Sequence, residues 1–221
     1  LARDLSRAPV EIRDGVLDLH FAISQNQPPR RIGGIQVAVQ QPDSGTSVQF
    51  IGRLDDPLWA SWQFSGSMNR PSRQVNIHAR TSSLQLTPEQ AAWLDAHWAE
   101  LWQRFSPEGQ LTVDADISWD LSTPEGLEYQ ILLDPKNACL QIPTVPEKVR
   151  DIAGRIEVTP KSVRVHGLAG RLATGEILAS GTITREHTPH FNLAVDIRRV
   201  PLIKIAGERL KGAGQIVDSL T

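Results

Sequence analysis

Three aspartates, six histidines and two arginine pairs are the residues of this 221-residue chain whose types and spacing could do chemistry. Asp114, Asp116 and Asp120 fall on one side of a single alternating segment. On a strand that spacing puts alternate carboxylates about 7 Å apart. Such a row can bind a cation, or supply half of a glycosidase-like carboxyl pair. It is equally the solvated side that alternation requires, and that is the ordinary reading. The histidines are His20, His78, His97, His166, His187 and His190, scattered along the chain. His187-Thr188-Pro189-His190 has a spacing that could chelate, but the Pro between and the lack of a nearby acidic ligand read as an exposed turn. His97 lies beside Trp93 on a helical segment and reads as a boundary residue rather than a base. Arg30-Arg31 and Arg198-Arg199 sit at strand ends, where they could touch phosphate headgroups or simply be solvated. No phosphate loop, no dinucleotide fingerprint and no nucleophile elbow is present; Ser65-Gly66 and Ser180-Gly181 sit inside strand-like runs. No catalytic residue, no metal ligand set and no cofactor is therefore assigned.

Composition narrows the classes further. With 25 acidic and 23 basic side chains the net charge is −2, so there is no basic footprint for nucleic acid. The single cysteine, Cys139, excludes an intrachain disulfide framework and a thiolate cluster. No window approaches the roughly 18 consecutive apolar residues of a membrane helix. The chain opens on Leu1 without a charged-then-apolar signal segment, which suggests an excerpt or a mature form whose address or anchor has been removed.

The elements that must position these residues are mostly strands. Leu111, Val113, Ala115, Ile117 and Trp119 alternate with polar residues, the clearest period-2 run in the chain. Phe191, Leu193, Val195 and Ile197 repeat the pattern, as do Leu17, Leu19, Phe21 and Ile23. Weaker runs, including Leu127-Tyr129-Ile131-Leu133, raise the total to about ten or eleven strands. Asp14-Gly15, Pro42 to Gly45, Pro124 to Gly126, Thr159 to Ser162 and Thr174-Gly175 are read as reversals, favouring antiparallel neighbours. A loose internal repeat relates Glu11 to Leu19 with Asp151 to Val165.

One segment departs from this pattern. Residues 87–105 carry Leu94, Trp98, Leu101 and Phe105 at helical spacing, forming a single stripe. Thr87 is a fitting N-cap, Pro88 the first helical residue and Gln90 the far arm of a capping box; the helix should stop before Ser106-Pro107. Trp98, Leu101 and Phe105 are expected to pack on a sheet face, or to cap the end of an open sheet. A weaker helix is expected at 202–210 and a short turn at 143–150. No linker divides the chain, so residues 1–221 read as one β-rich domain, or an excerpt of a longer repeat array, with two halves flanking the helix and sharing one sheet. With one helix and so many strands, the sheet must either close on itself or leave an apolar trough.

The stretch from Asp151 to Leu202 resembles the repeating unit of the AsmA-like superfamily of bacterial envelope proteins. The resemblance lies in Gly154-Arg155-Ile156, Val165-His166-Gly167-Leu168, Gly170-Arg171-Leu172, Gly175, Ala179 to Ile183 and Val200-Pro201-Leu202. Pro9 to Leu19 and the spacer Leu84 to Leu86 followed by a helix and Pro107 to Trp119 look similar to the family as well. The resemblance implies an elongated, curved antiparallel sheet with a lipid-sized apolar groove. It further implies a non-enzymatic protein of the periplasm or cell envelope, membrane-anchored in its full-length form. Such a protein would serve lipid transport or outer-membrane biogenesis, with phospholipid or another acyl lipid, and other envelope proteins, as partners. The family's N-terminal anchor is not seen here, and the Trp-rich helix is unusual for it.

On that reading the groove candidates are Val113, Ile117, Trp119, Ile131, Leu193 and Val195. The alternative is a carbohydrate-binding or adhesive module stacking sugars on Trp59, Trp62 and Trp119. Alternation places Trp62 and Trp119 on the apolar sides of their strands, which counts against it. A sandwich-fold glycoside hydrolase would rest on the aspartate row alone.

Overall fold

The computed structural model describes residues 10–19, 30–41, 45–91, 96–123, 126–143, 145, 147–184 and 190–200. Eleven strands follow one another in an antiparallel meander: β1 (Val10–Leu19), β2 (Arg30–Gln40), β3 (Ser47–Asp56), β4 (Ala60–Asn69), β5 (Gln74–Leu86), β6 (Glu108–Asp120), β7 (Leu127–Gln141), β8 (Lys148–Val158), β9 (Ser162–Leu172), β10 (Gly175–Thr184) and β11 (His190–Arg198). Their order in the sheet is their order in the chain, so the sheet is mainly local in its pairing and open, with β1 and β11 at its edges. Two short helices, α1 (Pro88–Ala91) and α2 (Ala96–Phe105), stand between β5 and β6, which nevertheless pair directly. The two halves on either side of the helices therefore do share one sheet.

Directly opposed residues in antiparallel strands point to the same side. Following those pairs gives one apolar row across every strand, from Ile12 through Phe64, Ala115, Ile131 and Val163 to Phe191. The opposite side carries the polar partners of the same alternation. Isoleucine gives a matched comparison between the two sides. In the middle of the sheet Ile77, Ile117 and Ile131 on the apolar side are half-buried and Ile51 on the polar side is 65% exposed, whereas on the edge strands even the apolar-side Ile12 and Ile197 are exposed. Apolar side chains crowd one another on one face of what is a single layer, and no described side chain is wholly buried.

Among the described residues, cover lies at one end of the strands. There Ala138, Val149, Ile152 and Leu172 form the main core, with Ile142, Val145 and Val200 folded over it. Thr81, Leu84, Val113 and Ala115 of the neighbouring strands are buried, and the helical segment lies at the same rim, with α2 against β7. Gln90 fastens it: its side-chain amide donates to the backbone oxygens of Leu58 (3.0 Å) and Gln85 (2.6 Å), and its side-chain oxygen accepts from the Thr87 N–H at 3.1 Å. That last bond is one arm of the expected capping box. The other end of the strands, with Trp119 and Leu127 both more than two-fifths exposed, has no described cover.

Several expectations need correction. Asp14-Gly15 is not a reversal: β1 continues through it, with Asp14 at φ 53° and a register shift against β2. A bulge absorbs the extra residue where a hairpin was expected. The loose repeat goes with it, because Glu11 to Leu19 is one bulged strand and Asp151 to Val165 a strand, turn and strand. β7 runs on past Pro135, which normally ends a central strand. It does so through an irregularity against β8 in which Asn137 adopts φ 49°. Of the expected 87–105 helix, Pro88–Ala91 and Ala96–Phe105 are helical and it ends as expected at Phe105 before Ser106-Pro107; residues 92–95 lie outside the described residues. Phe21, Ile23, Trp93, Leu94, His187 and the 202–210 helix lie outside the described residues.

Candidate functional site

All six groove candidates lie on the apolar side. Val113 opposes Leu133, Ile117 opposes Ile77 and Tyr129, Trp119 opposes Val75 and Leu127, and Ile131 opposes Ala115 and Val158. Leu193 and Val195 continue that side on β11 through Gly181 and Ala179. They differ in environment. Val113 is buried, Ile117 and Ile131 are half-buried in the middle of the sheet, and Val195 at the edge is 58% exposed. Leu101 and Phe105 of α2 are half-buried; the side chain of Trp98 lies outside the described residues.

The glycines of the C-terminal strands shape this side. Gly181 (φ 142°) sits at a register shift between β10 and β9, and a Cβ there would strike the Asn192 oxygen. Gly154 (φ 138°) does the same between β8 and β9, where a Cβ would come within 2.7 Å of the Gly167 oxygen. Each allows a close backbone approach that no other residue permits, and each lets the strand bend.

The polar side holds a ladder of side-chain bonds running across the strands. Arg53 Nε donates to Gln36 Oε1 at 3.0 Å and Arg80 Nη2 to Gln63 Oε1 at 3.0 Å. Arg155 grips Asp134 through two bonds of 2.7 and 2.8 Å, and Glu157 receives Gln130, Arg164 and His166. The Arg155 guanidinium holds the Asp134 carboxyl below its ordinary pKa, and the His166 bond does so for Glu157, with Arg164 and Gln130 adding to it. The arginines are exposed and the carboxylates of Asp134 and Glu157 half-buried, so solvent screening keeps each pair weak.

Within this ladder His78 Nδ1 lies 2.9 Å from Asp116 Oδ1 and 3.7 Å from Asp114 Oδ1. The three ligand atoms fall within 4.8 Å of one another, a donor set of a kind that can hold a divalent cation. The same distances are those of an ordinary histidine–carboxylate pairing on an exposed face. Asp120, third in the aspartate row, is taken up locally: its Oδ1 accepts the Ser122 N–H at 2.9 Å and closes the β6–β7 turn. The row therefore splits into a pair facing His78 and a turn residue. Sequence spacing missed His78 because its partnership comes from cross-strand register, which alternation alone does not fix.

Two depressions, of about 820 and 710 Å³, share Ala38, Ile51, Ser65 and His78, and both open over the polar side. Small Ala38 and Ser65 line both, beside larger neighbours such as Ile51 and His78. Of the groove candidates, Ile117 lines the first depression and none lines the second. No protein-family model, curated protein or solved structure matches the chain. What the molecule does must accordingly be argued from its two faces. Trp62 lies on the apolar side, where its Nε1 donates to the Trp59 backbone oxygen at 2.6 Å, and Trp119 shares that side. The polar depressions are thus lined by no tryptophan side chain.

Proposed function

We propose that this chain is a segment of an AsmA-like envelope protein whose apolar sheet face binds acyl chains, in lipid transport or outer-membrane biogenesis, without catalysis. The observation that carries the reading is the apolar row across all eleven strands of an open sheet which, among the described residues, is covered at one rim only. A barrel or sandwich would spend such a face on its own core. Here the middle and the far end of the strands leave it available, and contiguous apolar surface of that extent marks a ligand or partner site. The geometry suits an acyl chain lying across the strands, between the helical rim and the Trp119–Leu127 end. Burying roughly ten methylenes yields a gross gain near 8 kcal/mol. After ordering costs, that corresponds to net affinity on the order of micromolar.

Titration of the purified chain with a fluorescent fatty acid tests this. Saturable uptake, unaffected by EDTA and weakened by Ile131→Asp, supports the reading. Uptake that is absent, or unchanged by that substitution, sinks it. The carbohydrate-binding alternative has the polar depressions as its place, but Trp62 and Trp119, two of its three stacking candidates, lie on the other side of the sheet. Retention on a glycan array together with no fatty-acid uptake would favour it instead.

A further inference from the structure

The two edges of the sheet are built differently. β1 is guarded: it is broken by register shifts around Asp14-Gly15, and Glu11, Arg13, Asp14 and Asp18 charge it. Bulges and charges of this kind are what keep an exposed strand from pairing with another chain. β11 has no such break. Its nine residues pair with β10 in one uninterrupted register from Glu176–Arg198 to Thr184–His190. Its apolar side is among the most exposed in the molecule, with Phe191 70% and Val195 58% exposed, and it contains neither Pro nor Gly. Immediately after it, Arg199 adopts φ 57° and Val200 turns back onto the core, so the described chain leaves this edge free.

We infer that β11 pairs edge to edge with β11 of a second copy of this chain, joining two sheets into one. The strand's own pattern supplies the argument for that occupant. A two-fold axis normal to the sheet through Ala194 uses all nine residues and keeps each face on its own side. It opposes Phe191 with Ile197, Leu193 with Val195 and Asn192 with Asp196. Every apolar residue of the edge then meets an apolar residue, and no like charges are directly opposed. This inference goes beyond the acyl-chain reading and does not depend on it.

Sedimentation equilibrium of the 221-residue chain should find a concentration-dependent dimer. Val195→Lys places an inward charge on the edge and should weaken that dimer by at least about tenfold. A second test needs no destabilising change. In a Cys139→Ser background, Ala194→Cys sets two thiols opposite each other at the axis, within disulfide reach, and mild oxidation should cross-link it. Val16→Cys on β1 should not cross-link. A monomer at every concentration, open-ended oligomers, an unchanged dimer in Val195→Lys, or equal cross-linking through Val16 would overturn the proposal.

Discussion

Leu172 and Leu178 stand on neighbouring strands and do different work. Leu172 is 2% exposed and packs with Ala138, Val149 and Ile152, whereas Leu178 lies on the polar side. Leu172→Ala should cost about 2–4 kcal/mol in a urea melt, and Leu178→Ala less than about 1. Charge acts at the same scale. Because Arg155 lowers the pKa of Asp134 in the folded chain, the pair stabilises at pH above the ordinary aspartate value. That contribution fades as pH falls through the lowered one. Arg155→Ala should therefore melt at a lower temperature than the parent near neutral pH, with the gap closing in acid. A gap that widened in acid would contradict the assignment.

At the scale of elements, much was readable and some was not. The β6 run from Leu111 to Trp119 reads as a strand with one apolar side because alternation states it outright. Thr87, Gln90 and Pro107 bracket the helical segment for equally local reasons. What the chain withholds is whatever depends on its neighbours. The bulges at Asp14-Gly15 and Pro135–Asn137 look like chain reversals or stops when read along the sequence. They exist because the partner strand holds the main chain on either side. The nearness of His78 to Asp114 and Asp116 was hidden for the same reason. Gln90 illustrates the opposite case: legible as a capping residue, it also ties α1 to the ends of β3 and β5. Gln90→Ala removes a buried amide that holds two backbone oxygens and one N–H, and should destabilise by about 1–3 kcal/mol. Denaturant melts against the parent check this, and an unchanged midpoint would mean that the helical segment is not anchored there.

For the molecule as a whole, the division into two faces is the property on which the proposed function rests. Ile117 and Ser118 are adjacent in sequence and point to opposite sides of β6. Aspartate at 117 places a charge among half-buried Ile77 and Tyr129, where it is poorly solvated; aspartate at 118 joins an already polar surface. The first substitution should abolish folding or acyl-chain uptake and the second should leave both intact, as followed by thermal melts and fatty-acid titration. On the proposed reading, the covered rim holds the fold together while the rest of the apolar face, without cover among the described residues, is the binding surface.

Mass spectrometry of lipid extracted from the purified chain tests that claim most directly. Phospholipid or another acyl lipid should be recovered with the parent and with Ser118→Asp, and lost from a folded Ile131→Asp variant. No lipid from any of the three, or equal recovery from all of them, would contradict the account.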